Sequence, residues 1–197
     1  VGSIPRHLLV FSIPMLIGNL ARTGYHIINM IWVGHLVGKD AVGAVGVSFP
    51  IIFILIGVFV GMSLATTILV AQHYGAKEYD SVEKIVSNSF LLSLMIGGFF
   101  TITGLLSSDF LLGLMDTPPE NYAMASSYLK INLAGFVLLY LDFLIHSILR
   151  GIGNTVVPLI FTCIGMGMNA IIDPFFIGGF GPFPPNGLNG AAYATLI

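Results

Sequence analysis

GMGMNAIIDPFFIGGFG, residues 165–181, decides how this chain reads. It is an apolar run with one amide, Asn169, and one carboxylate, Asp173. The two lie four positions apart, so a helix puts them on one face, one turn apart. Pro174 follows directly, and its missing N–H leaves a carbonyl one turn earlier without its usual donor. An Asp in a helix of lipid-spanning length costs about 2.5–3.5 kcal/mol on insertion, so it normally faces a cavity or a partner. Asp173 is then either a structural acid satisfied by a neighbouring helix or an ion or proton site, and intramembrane acids are functional by default.

The composition around that stretch demands a bilayer. The chain has 197 residues, 56% hydrophobic and only 8% charged, with a mean hydropathy of +0.96. Soluble domains average roughly 25% charged. The net charge of −2 argues against nucleic acid as a partner. Cys163 is the single cysteine, so no disulfide framework or thiolate metal site is on offer. Val1 in place of Met, and an apolar segment barely begun at Ile197, point to a piece of a longer chain lacking its C-terminal part. The first apolar stretch is too long for a cleavable signal peptide and lacks a cleavage-like end.

A span needs about 20 apolar residues. Segments of that kind cover 7–37 (with Pro14 inside), 41–74 (with Pro50), 82–106, 122–149 and 156–177. A short interfacial helix is expected at 109–115. The Gly/Pro-rich connector 178–186 leads into the start of a sixth span at 187–197. Strand alternation is absent, which argues against a β-barrel. The fold class is therefore an all-α integral membrane protein with five full transmembrane helices plus the start of a sixth. Arg6, Lys77, Lys84 and Arg150 fall at one set of ends; Asp109, Asp116, Glu120 and the Lys39–Asp40 pair fall at the other. By the positive-inside rule the N-terminus is cytoplasmic. Short connectors imply antiparallel neighbours. Gly43, Gly46, Gly57 and Gly61 in the second span, with Gly165 and Gly167 in the fifth, are expected to allow close helix contact.

Polar side chains collect at one level. At 1.5 Å per residue, Asn29, Tyr128, Asn169, Asp173 and Thr195 all fall about 6–16 Å in from the outer helix ends. Carboxylate, amide and hydroxyl oxygens suit a hard cation. The same group could instead hold a proton, and the sequence does not choose. A second group is deeper. Positions 22, 25, 26 and 29 (Arg22, Tyr25, His26, Asn29) follow the i, i+3, i+4, i+7 pattern and form a polar stripe, and Asp142 and His146 are one turn apart on the fourth span. Arg22 needs a partner in hydrocarbon: Asp142 first, Asp173 second. Such a pair either locks the bundle or lines a water-filled path that meets substrate. The two histidines give no metal triad.

Enzymatic motifs fail. There is no phosphate loop ending in Lys and Ser/Thr, no nucleophile elbow and no His-Glu-x-x-His. Asp142 and Asp173 do not make a protease dyad, because no Gly-x-Gly precedes Asp173 and their expected depths differ.

The order of several short motifs resembles the N-terminal lobe of the MATE family, the multidrug and toxic compound extrusion transporters, over essentially the whole chain. They are Val33-Gly34 … Leu36 … Gly38; Ala41-Val42-Gly43-Ala44-Val45-Gly46 … Pro50; and Ala71-Gln72 … Gly75-Ala76. Further on come Arg150-Gly151 … Gly153-Asn154-Thr155 … Pro158; Asn169 … Asp173-Pro174; and Gly187 … Gly190-Ala191-Ala192 … Ala194-Thr195. The resemblance implies a twelve-helix, two-lobe exporter of drugs or organic cations in the cell membrane. It would work by alternating access, exchange substrate for sodium ions or protons, and need no other cofactor. Its partners would be the small-molecule substrate, the bilayer and a C-terminal lobe. It further implies that Asn169, Asp173 and Thr195 belong to a cation site, and that Tyr25 and Tyr128 line the cavity. Members usually carry Asp where this chain has Asn29, so one titrating group is missing and Asp173 becomes the main carrier. A lipid-linked oligosaccharide flippase of similar architecture and a non-transporting bundle are the alternatives.

Overall fold

The computed structural model describes residues 4–179 and 186–196. Seven α-helices run in order: α1 (Ile4–Leu36), α2 (Lys39–Gly75), α3 (Tyr79–Leu114), α4 (Pro119–Ala134), α5 (Phe136–Gly151), α6 (Val156–Gly178) and α7 (Leu188–Leu196). No strand occurs among the described residues. α2, α3 and α6 are long and apolar enough to cross a membrane, and α4 with α5 makes a fourth such span with a bend of 48°. α1, 33 residues long, has the length as well, at about 50 Å, but its polar stripe dilutes its hydropathy. α7 is the start of the sixth span. Most of the connector 178–186 lies outside the described residues, as does Ile197.

The turns follow local chemistry. Gly38 takes φ 110 between α1 and α2, and Gly179 ends α6 in the left-handed region at φ 73, conformations that cost glycine little. Asn154 Oδ1 accepts from the Val157 N–H at 3.0 Å and satisfies an orphan donor at the start of α6.

Three expectations are corrected. The separate interfacial helix at 109–115 does not exist, because α3 runs on to Leu114. Nothing between 106 and 109 breaks it, and the Ser107 and Ser108 hydroxyls donate back to the Thr103 and Leu105 carbonyls at 2.7 and 3.0 Å. The fourth span is not one straight helix but breaks at Gly135. The Leu196 side chain occupies the space a Cβ would need there, and the Thr101 hydroxyl donates to the Leu133 carbonyl at 3.0 Å, beside the break. The glycines expected at helix contacts are mostly elsewhere. Gly46, Gly57, Gly61, Gly165 and Gly167 face open space, and only Gly43 meets a neighbour, the Asn121 amide. Close approach is made at Gly97 on Val137, Gly104 on Leu133, Gly151 on Val70 and Gly190 on the Phe176 carbonyl.

The packing order differs from the chain order. α1 packs chiefly on α6 and only lightly on its sequence neighbour α2. α2 packs on α3, α4 and α5, and α7 is wedged between α6 and α4. The centre of the bundle is aromatic: fully buried Phe59 stacks on Tyr140 at 4.4 Å, with Phe136 at 5.3 Å and Phe100 edge-on at 6.3 Å. Wide apolar surfaces of α1, α2, α3 and α6 stay exposed, as a lipid-facing exterior requires.

Candidate functional site

α6 carries Asp173 into the bundle, where the residue is fully buried. α7 reaches it because Gly190 lets that helix lie on the last turn of α6, backbone against backbone. The Asn186 and Gly187 N–H groups also bond to the Phe176 and Ile177 carbonyls at 3.3 and 3.1 Å. This docking brings Thr195 to α1.

A single hydrogen-bonded chain results. Asn29 Nδ2 donates to Asp173 Oδ2 at 3.0 Å and to the Tyr25 hydroxyl at 3.3 Å, using both its protons. The Tyr25 and Thr195 hydroxyl oxygens are 3.3 Å apart, and Thr195 Oγ1 donates to the Ala191 carbonyl at 2.9 Å. Thr195 has one proton, so Tyr25 is the donor between them. Asp173 is served at Oδ2 by Asn29, with the Tyr25 hydroxyl as its other side-chain partner. The other carboxylate oxygen, Oδ1, is buried and accepts no hydrogen bond among the described residues. A buried carboxylate with one oxygen unpartnered and no cation beside it among the described residues is under-compensated. Such a group has the chemistry to take a cation among amide and hydroxyl oxygens, or a proton.

Four helices contribute. α1 supplies Tyr25 and Asn29, α6 Asp173, α7 Thr195 and α4 Tyr128, which lies within electrostatic reach of both Tyr25 and Asp173. Asn169 sits one turn before Asp173, half-buried, and makes no hydrogen bond among the described residues. Tyr25, read as a cavity residue, is the hub of the chain; its i, i+4 spacing to Asn29 was the signal for that.

The deeper group divides. Arg22 does not pair with Asp142 or Asp173. It lies over the Phe143 ring, 5.1 Å from the centroid, a cation–π contact. Asp142 is 53% exposed and meets His146 Nδ1 at 3.3 Å instead. The i, i+4 pair within α5 satisfies the carboxylate locally, so a reach across to α1 is not required. His26 is exposed, and no cluster of three His, Cys, Asp or Glu forms among the described residues. Asp142 and Asp173 belong to separate groups. Arg150 lines a cleft with Arg22 and His146. Their separation by 128 residues hid that proximity.

The fold is thus an all-helical membrane lobe with a buried acid where α1, α6 and α7 converge. The model of the MatE family matches residues 14–175. The chain belongs to that family, the multidrug and toxic compound extrusion transporters. It is 31% identical to the probable multidrug resistance protein YpnP of Bacillus subtilis, over 100% of this chain and 43% of the relative. It is 29% identical to the multidrug export protein MepA of Staphylococcus aureus, over 95% of this chain and 41% of the relative. Among solved structures, a multidrug resistance MATE transporter in an outward-facing conformation superposes with a TM-score of 0.91 at 33% identity, over 99% of this chain and 42% of that one. A MOP superfamily transporter from Pyrococcus furiosus matches at the same TM-score of 0.91 and 33% identity. The chain thus spans less than half the length of these relatives, which are transporters and not enzymes.

Proposed function

We propose that residues 1–197 form the N-terminal lobe of a two-lobe, ion-coupled exporter of drug-like small molecules in the cell membrane, with a cytoplasmic N-terminus. The observation that carries this reading is the buried Asp173 carboxylate, whose Oδ1 accepts no hydrogen bond among the described residues. Sodium or a proton is the occupant, and Asn29, Tyr25, Thr195 and Asn169 supply neutral oxygens around it. Because the group ties α1, α6 and α7 together, filling it alters how these helices pack. An occupant biases one state of the transporter only through different affinities for the two. The likeness to a multidrug export protein and to a probable multidrug resistance protein supports the substrate class.

The test is efflux by the complete two-lobe transporter in proteoliposomes, driven in turn by a sodium and by a proton gradient. Wild type exports a fluorescent dye under at least one gradient, and Asp173→Asn abolishes that coupled export while inserting normally. Undiminished gradient-driven export by Asp173→Asn would overturn the assignment.

A further inference from the structure

Where α5 ends and α6 begins, a cleft of about 50 Å³ opens between these helices and α1. Its polar lining is Asn19, Arg22, His146, Arg150, Thr155 and Thr162. All six present donors or hydroxyls, and no carboxylate lines it. Neither Arg22 nor Arg150 makes an ion pair among the described residues. The two cations are close enough to repel each other. Asp142 lies within electrostatic reach of both, but its carboxylate is engaged by His146 at 3.3 Å. Guanidinium groups in or near hydrocarbon are costly unless a counter-charge meets them. The Phe143 ring gives Arg22 a partial partner, and Arg150 has the Asp142 charge within reach but no ion pair among the described residues.

The size of the cleft limits what enters. Drug-sized ligands need roughly 300 Å³ or more. A cleft of about 50 Å³ admits one oxyacid group and leaves the rest of its molecule outside. Apolar Pro14, Met15, Pro158 and Leu159 share its lining, with Met15 exposed, and a hydrocarbon body can lie over them. We infer that the cleft between α1, α5 and α6 binds the carboxylate or phosphate group of an anionic amphiphile through Arg22 and Arg150. Arg geometry suits bidentate recognition of either group. The amphiphile comes from one of two sources, a transported substrate or an anionic lipid of the surrounding leaflet. In the first case the inference rests on the transport reading above and adds anionic amphiphiles to its substrates.

The experiment uses the complete two-lobe transporter in phosphatidylcholine nanodiscs without any ion gradient. Equilibrium binding therefore reports on the cleft whether or not Asp173 couples transport. One arm titrates dansyl-undecanoic acid against its uncharged methyl ester. The other counts retained phosphatidylglycerol by native mass spectrometry after mixed-lipid reconstitution. Wild type binds the acid at least about tenfold more tightly than the ester, or retains phosphatidylglycerol over phosphatidylcholine, and 1 M NaCl weakens the preference. Arg22→Gln and Arg150→Gln each erode it, and the double variant removes it. Arg22→Lys keeps part of it, since charge survives without the planar fork. The arm that responds identifies the source. Absence of any acid or lipid preference in wild type overturns the inference even if a variant fails to fold. So does a preference that the double variant leaves intact.

Discussion

Replacing Asp173 by Asn separates charge from shape. The side chains are isosteric, and an amide oxygen still accepts from Asn29 Nδ2, now 3.0 Å away. Packing around a fully buried position is therefore kept. A hydrogen bond to a charged acceptor contributes about 1.5–3 kcal/mol and a neutral one about 0.5–1.5, so roughly 1 kcal/mol is lost there. Against that, the desolvation of an under-compensated carboxylate, several kcal/mol, is relieved. Without a bound cation the variant is at least as stable as wild type. With the cation present the order reverses. At a concentration 100 times its dissociation constant, the ion stabilises wild type by about 2.7 kcal/mol. Removing one partner of a buried charge pair costs about 3–5 kcal/mol, a fall in affinity of roughly 100-fold or more. The same ion concentration then stabilises the variant by about 0.4 kcal/mol or less. The assay is thermal unfolding of the purified complete transporter with sodium exchanged for choline, then across a pH series in choline. Wild type gains several degrees from sodium or from acidification, and Asp173→Asn gains from neither. A variant stabilised by the same occupant as strongly as wild type would refute the reasoning.

Further predictions rest on single contacts. Asn29→Ala removes the amide that donates to Asp173 Oδ2, costing about 1–3 kcal/mol in thermal unfolding at low ion concentration; a neutral result would mean that water replaces the amide. Tyr25→Phe breaks two long hydrogen bonds of 3.3 Å each and lowers stability by about 1 kcal/mol. Scanning calorimetry should show that Tyr25→Phe and Thr195→Val are non-additive, because both cut the same link. Gly190→Val forces α7 off the Phe176 carbonyl, so crosslinking between cysteines placed at positions 29 and 195 should fall sharply against wild type. Phe59→Ala removes the ring that Phe100, Phe136 and Tyr140 share and destabilises by about 3–5 kcal/mol, read as a lowered unfolding temperature.

Much of the architecture was legible from composition and spacing. Lipid allows only helices or closed barrels to span it, so long apolar runs without alternation already meant a helical bundle. The Asn169 … Asp173-Pro174 run marked its own importance because a carboxylate in hydrocarbon is expensive wherever it points. The four-residue step from Tyr25 to Asn29 likewise put both on one face before any partner was known. Helix ends and breaks were harder to read. Gly135 is one of 24 glycines, and only the side chain of Leu196, 61 positions later, distinguishes it as the bend.

Local sequence thus determined that this chain is a set of apolar helices with an acid in the fifth span. Tertiary structure alone decided which helices meet. α1 leaves its sequence neighbour for α6, where Gly18 meets Leu159, and α7 settles between α6 and α4, with Gly190 against the Phe176 carbonyl. The pairing of Asp142 with His146 is local, fixed by the pitch of one helix, whereas the failure of Arg22 to reach Asp142 depends on how α1 and α5 lie, which only the tertiary structure decided.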